Sequence, residues 1–196
     1  MALHDDTADG RPLPVLGSLH WQPALDVPEL LADPVRAALR DPAVSAGLGP
    51  VGVAAIDADL ADTAAFCAAY DVPAAASANC VLVAGKREGQ ERWAAAIVLA
   101  TTRADVNGVL RRRLDVRKIS FAPMEAAVAR SGMEYGGITP IGLPTDWPIL
   151  VDAAVAAAGP VVIGSGIRGS KLVIDGADLA RLPQAELIEG LARPVG

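Results

Sequence analysis

The chain has 196 residues, 17 Lys and Arg against 23 Asp and Glu, and a formal net charge of −6. That length suits one domain with a real core; the hydrophobic fraction of 52% excludes a disordered polyelectrolyte, and aromatics at 4% leave Ala, Val, Leu and Ile to build the interior. The acidic balance excludes a protein that coats DNA or RNA by bulk charge.

Residues 1–12 are polar and acidic and read as a loose tail. Residues 13–50 read as an N-terminal extension packed on the main domain. They comprise an apolar stretch broken by Pro and Gly, then a helix whose start is marked by Asp33-Pro34. A turn-rich joint leads into the main domain, 51–196. There residues 51–56 read as a short buried strand. Asp62 caps a helix through Phe66, Cys67 and Tyr70 that stops near Pro73. Residues 79–84 and 93–100 are apolar strands around a polar turn, 85–91, which predicts a hairpin. Asp105 caps a helix to Leu114, residues 116–119 are extended, and Pro123 starts a helix through Met124, Ala127 and Val128. Residues 132–148 are too rich in Gly and Pro for a helix or a central strand. Short strands follow at 149–151, 161–163 and 171–174, and residues 183–191 read as a closing helix. The order is mixed α/β with at least one hairpin, so the sheet is not purely parallel. No apolar run approaches the ~18 residues of a membrane span, and the N-terminus lacks a secretory signal pattern. The expectation is a cytoplasmic protein with no membrane partner.

The rare residues narrow the chemistry. Both histidines, His4 and His20, lie near the start, so a Ser–His–Asp triad or a multi-His metal site has nothing further along to draw on. Cys67 and Cys80 belong to no CxxC and read as buried reduced thiols. Gly164-Ser165-Gly166-Ile167-Arg168-Gly169 matches G-x-G-x-x-G, but the run after it, KLVID, is β-branched. A dinucleotide site needs a helix there. Two readings stay open: a tight turn, or a backbone lining that approaches a ligand, with Ser165 and Arg168 pointing at it. Gly136-Gly137-Ile138-Thr139-Pro140 combines conformational freedom with a stiff exit, and such a loop can offer backbone N–H groups to a carbonyl or oxyanion. An ordinary surface loop is the alternative. Arg103, Arg111, Arg112, Arg113, Arg117 and Lys118 gather around one helix, either as a solvated face or as a small phosphate-contacting patch. Asp152 follows a strand and precedes an Ala-rich run, as an N-cap or a strand-end site residue.

In this order, SANCVLV, RKISFAPMEAAVARSG, EYGGITPIGLP, ILVDAAV and VVIGSGIRGSKLVI resemble the YbaK / prolyl-tRNA-synthetase-associated editing-domain family. The resemblance covers roughly residues 51–191. It implies a curved, barrel-like mixed sheet surrounded by helices, and a trans-editing activity: hydrolysis of the ester joining a wrong amino acid to the 3′ end of a tRNA. It implies no metal and no cofactor. The loop Gly136, Gly137, Ile138, Thr139 and Pro140 would hold the carbonyl through N–H groups, and a substrate hydroxyl would help activate the water. Asn79 and Asp152 would be polar substrate contacts, and Gly164, Ser165 and Gly166 would close the pocket. Lys118 and Arg168 would touch tRNA phosphates. The implied partners are an aminoacyl-tRNA 3′ end and an aminoacyl-tRNA synthetase. One departure stands out. Many members carry a lysine in the first hairpin strand, where this chain has Asn79. A catalytically inactive binding module for aminoacyl-tRNA or a small nucleotide is therefore the alternative expectation.

Overall fold

The computed structural model describes residues 10–195; most of the expected tail, residues 1–9, lies outside them. Eleven strands are present among the described residues: β1 (Gln22–Pro23), β2 (Gly52–Ala55), β3 (Ala78–Arg87), β4 (Gln90–Leu99), β5 (Thr102–Ala104), β6 (Lys118–Phe121), β7 (Ile149–Asp152), β8 (Pro160–Gly164), β9 (Ser170–Asp175), β10 (Ala185–Ile188) and β11 (Ala192–Pro194). One sheet has the order β1-β2-β9-β8 and a second β10-β7-β4-β3-β6, while β11 and β5 form a separate pair. The first sheet is antiparallel throughout. The second mixes parallel β10–β7 and β4–β7 with antiparallel β3–β4 and β3–β6. A bridge between Ser77 and Val162 joins the two sheets along one seam. The architecture is the expected mixed α/β one, curved and barrel-like, but not a closed barrel.

β4 shows why the sheets stack. Its side chains alternate between faces. Trp93, Ala95, Ile97 and Leu99 enter one core cluster, and Ala94, Ala96 and Val98 another. From Trp93 to Leu99, buried on both sides, the strand is an unbroken apolar run, as a central strand should be. Helix Asp33–Arg40 contributes Val35 and Leu39 to the first of these clusters. Ala32 occupies its N-cap position, and Asp33 instead sits in the first turn, bonded to Arg36 at 2.6 Å.

The hairpin is tighter than its polar turn suggested. Its strands continue until Arg87 faces Gln90, leaving Glu88 and Gly89 as a two-residue turn with φ of +52° and +80°.

The expected closing helix over 183–191 is corrected. Residues Ala185–Ile188 form β10, in parallel register with β7. The outer edge of β7 needs backbone partners, and the N–H of Ile149 starts the ladder by donating to the Gln184 carbonyl at 3.0 Å. That tertiary demand overrides local helix propensity.

Candidate active site

A cavity of about 310 Å³ opens at the seam between the sheets. Ser77 lines it from just before β3, Asn79 and Cys80 from the start of β3, Ile163 and Gly164 from the end of β8, and Lys171 from β9. Asp62, Thr63 and Phe66 close one side from helix Thr63–Ala69 and its N-cap, and Tyr135, Gly136 and Ile138 cover another from the glycine-rich loop. Parts of the chain that lie far apart in sequence thus meet here: Asn79, the Gly136–Ile138 segment and Gly164.

Two loops are braced against each other over this cavity. The N–H of Gly166 donates to the Gly137 carbonyl (2.7 Å), and that of Glu134 donates to the Gly166 carbonyl (2.8 Å). The Glu134 carboxylate accepts from the Arg168 N–H at 2.7 Å. The approach is so close that a Cβ on Gly164 would lie 2.2 Å from the Gly137 carbonyl oxygen, and one on Gly137 would lie 2.5 Å from that of Ile167. Gly136 and Gly166 take φ of +86° and +89°, where a side chain is strained. The G-x-G-x-x-G segment is therefore a turn from β8 to β9 that supports the neighbouring loop. Gly137 donates its own N–H to the Glu134 carbonyl at 2.9 Å. Among the described residues no group accepts from the N–H of Gly136 or Ile138.

From behind, the loop is pinned by aromatic stacking. Trp147, at its far end, stacks on Trp93 of β4 with centroids 4.7 Å apart, and the Arg130 guanidinium lies 4.7 Å above the Trp93 ring. Glu91 accepts from Trp93 Nε1 at 2.9 Å and from Arg130 at 2.5 Å. These bonds, the Trp93 one foremost, hold its carboxyl below the usual carboxylate range.

The remaining expected site residues lie at different depths. Thr139 is fully buried, and its hydroxyl has no partner among the described residues. Ser165 is also buried, its Oγ 2.7 Å from Ser170 Oγ. Pro140 is buried and outside the lining. Arg168 lies at the rim, donating to the carbonyls of Ala58 (3.0 Å) and Tyr135 (3.3 Å). Asp152 is not in the lining; its carboxylate accepts from the N–H of Ala154 (3.0 Å) and of Ala192 (2.8 Å). It thereby caps helix Ala153–Ala156 and ties down β11. Lys118 lines a separate groove with Lys86 and Arg117.

Asn79 Oδ1 accepts from the Thr63 hydroxyl at 2.7 Å. Both cysteines are free and half-buried. Burial pushes the Cys80 thiol up to about 12. Burial also raises Cys67, against the Ser77 hydrogen bond and the charge of Lys171. Neither is suited to act as a thiolate nucleophile. Among the described residues no three His, Cys, Asp or Glu side chains converge as a metal centre requires.

Lys171 is the residue that sequence reasoning missed. It is only 7% exposed, and Nζ donates to the Ala61 carbonyl at 2.9 Å. Burial holds its ammonium below the usual lysine range, with the nearby Arg168 charge adding to the effect. The available signal was a charge at the head of a strand otherwise apolar up to Asp175.

A family model for the aminoacyl-tRNA editing domain matches residues 57–182. No curated protein sequence matches the chain. Among solved structures, a protein proposed as a trans-editing enzyme for prolyl tRNA synthetase is 19% identical, with a TM-score of 0.65 over 81% of this chain and 94% of its own. A protein from work on epitope backbone grafting onto scaffolds is 20% identical, with a TM-score of 0.66 over 81% of this chain and 95% of its own. A hypothetical protein is 17% identical, with a TM-score of 0.60 over 68% of this chain and 85% of its own. At these identities the likenesses establish a shared fold.

Proposed function

The chain belongs to the aminoacyl-tRNA editing-domain family, and from that premise we propose that it is a trans-editing deacylase, which hydrolyses the ester between a wrong amino acid and the 3′ end of a tRNA. The observation that carries this reading is the cavity under the braced glycine loop, where Gly136 and Ile138 have N–H groups with no acceptor among the described residues.

An aminoacyl ester is already activated, so the protein's task is placement and oxyanion stabilisation. Water adds to the ester carbonyl, and the developing oxyanion takes the loop N–H groups. The C–O bond to the ribose then breaks, releasing the amino acid. The proton lost by the water ends on the ribose oxygen, relayed by the neighbouring substrate hydroxyl. A preorganised donor of this kind contributes ~3–4 kcal/mol to the transition state. Asn79 stands on the polar wall, and Gly164 has no Cβ because the loop backbone occupies that space. Arg168 at the rim and Lys118 in its groove would contact phosphates of the RNA and not the reacting carbonyl.

The test is a panel of mischarged tRNAs with the wild-type protein and Gly164→Ala. At least one tRNA should lose its amino acid well above the rate in buffer. Gly164→Ala, whose new Cβ would displace the loop, should cut that rate by roughly 100-fold or more at saturating substrate. Its retained melting transition would show that the fold survives. Binding without turnover across the whole panel would replace the enzyme by a binding module.

A further inference from the structure

The cavity holds a buried cation with no ion-pair partner among the described residues. Lys171 is 7% exposed, yet among the described residues no carboxylate lies within ion-pair distance of it. Its ammonium has three N–H donors, one of which goes to the Ala61 carbonyl. The Phe66 ring, 5.4 Å away, supplies a cation–π contact. Asp62 favours the charge from a distance, while Arg168 opposes it. An ammonium taken out of water is costly unless it is paired and hydrogen-bonded. Burying this one against a carbonyl and a ring leaves two donors without a partner among the described residues, and only the more distant Asp62, in the same lining, and Cys67 favour its charge. The placement is not accidental to the cavity. Lys171 pairs in register with Gly164, the glycine on which the loop closes, and both line the same space.

We propose that Lys171 makes the inner wall of this cavity an anion subsite, which takes an anionic oxygen of the substrate as the missing counter-charge. This rests on the deacylase reading for the identity of the substrate, but the subsite itself does not depend on turnover. In an aminoacyl-tRNA two groups have the required chemistry: a phosphate of the 3′-terminal nucleotide and a carboxylate on the esterified amino acid. Asn79, in the same wall, brings no charge, so Lys171 supplies the formal positive charge there. Arg168 adds a second positive field at the rim. The subsite is thus a specificity and positioning device and not a part of the bond-breaking machinery.

The experiment measures binding of small probes to the wild-type protein, Lys171→Met, Lys171→Gln and Lys171→Arg at low and at moderate salt. Adenosine 5′-monophosphate is compared with adenosine for the phosphate, and the α-amide of L-aspartic acid, with its side-chain carboxylate free, with L-alaninamide for the carboxylate. In one of the two pairs the wild type should prefer the anionic member by roughly tenfold to a hundredfold. The preference should shrink as salt rises, vanish in Lys171→Met and Lys171→Gln, and partly persist in Lys171→Arg. The neutral probes should bind all four proteins alike, a result that a merely structural lysine would not produce. No anionic preference in the wild type, or one that survives in the folded Met and Gln variants, overturns the subsite. Deacylation of a mischarged tRNA without such a preference sinks the subsite and leaves the enzyme. A Lys171-dependent preference with no tRNA deacylated does the reverse.

Discussion

Lys171 and Asn79 share one wall of the cavity, yet they contribute in different ways. Asn79 is held by the Thr63 hydroxyl and is stable where it stands. Lys171 is held at a cost, and that cost has a pH dependence. Burial places its folded-state pKa below the ordinary value of 10.5. Between those two values the unfolded chain binds more protons than the folded one, so stability rises with pH across that window. Below the window the fold carries the full penalty of the buried charge. Lys171→Met removes the charge and keeps most of the volume. It should be as stable as the wild type at pH 7 or more stable, by up to ~1–4 kcal/mol. The advantage should shrink as pH climbs toward 10.5. Urea denaturation of both proteins at neutral and alkaline pH reads this directly. A variant less stable at every pH would show that the Ala61 bond and the Phe66 ring outweigh the desolvation. The glycines at this scale were legible because only close approach or positive φ explains so many in one segment. Lys171 was not, because nothing in a linear run shows which strand lies beside it.

The hairpin of β3 and β4 is the element that brings Asn79 and Cys80 to the cavity, and its turn is not optimal. Glu88 and Gly89 both have positive φ, as the favoured two-residue hairpin turn requires. Gly89 meets that demand without strain, whereas Glu88 does not. Glu88→Asn should stabilise the protein by about 0.5–1 kcal/mol, seen as a higher denaturant midpoint with an unchanged slope. A loss of stability would mean that the ion pair of Glu88 with Arg87 matters more than the backbone. The hairpin itself was readable from two apolar runs around a polar turn. β10 was not, because residues 185–188 hold no strong strand pattern and become a strand through the open edge of β7. The loop from Gly132 to Pro148 was readable as irregular. Its fixed position comes instead from Trp147 on Trp93 and from Arg130 and Glu91, interactions between parts distant in sequence.

At the scale of the molecule the charge is uneven. A net −6 disfavours bulk association with nucleic acid, yet Lys86, Arg117 and Lys118 line a groove of about 640 Å³. Phe121 and Met124 are exposed close by in sequence, at 62% and 53%. If this groove takes RNA phosphates, replacing all three cations by Ala should weaken tRNA binding with little regard to sequence. The slope of log affinity against log salt should become shallower by about one for each of these cations that neutralises a phosphate in the wild type. Equal binding and an equal slope in the triple variant would leave the groove without that role. This prediction is independent of the anion subsite, which concerns the other cavity.

Periodicity, turn chemistry and the order of glycine-rich motifs were local properties of the chain. They sufficed for the mixed α/β class, the hairpin, the irregular loop and the resemblance to editing domains. The seam between the two sheets was a different matter, because strand pairing across long separations is decided by burial and by backbone groups seeking partners. That closure alone joined Asn79, Gly136, Gly164 and Lys171 in one cavity. It also left Asp152 tied to backbone N–H groups outside it.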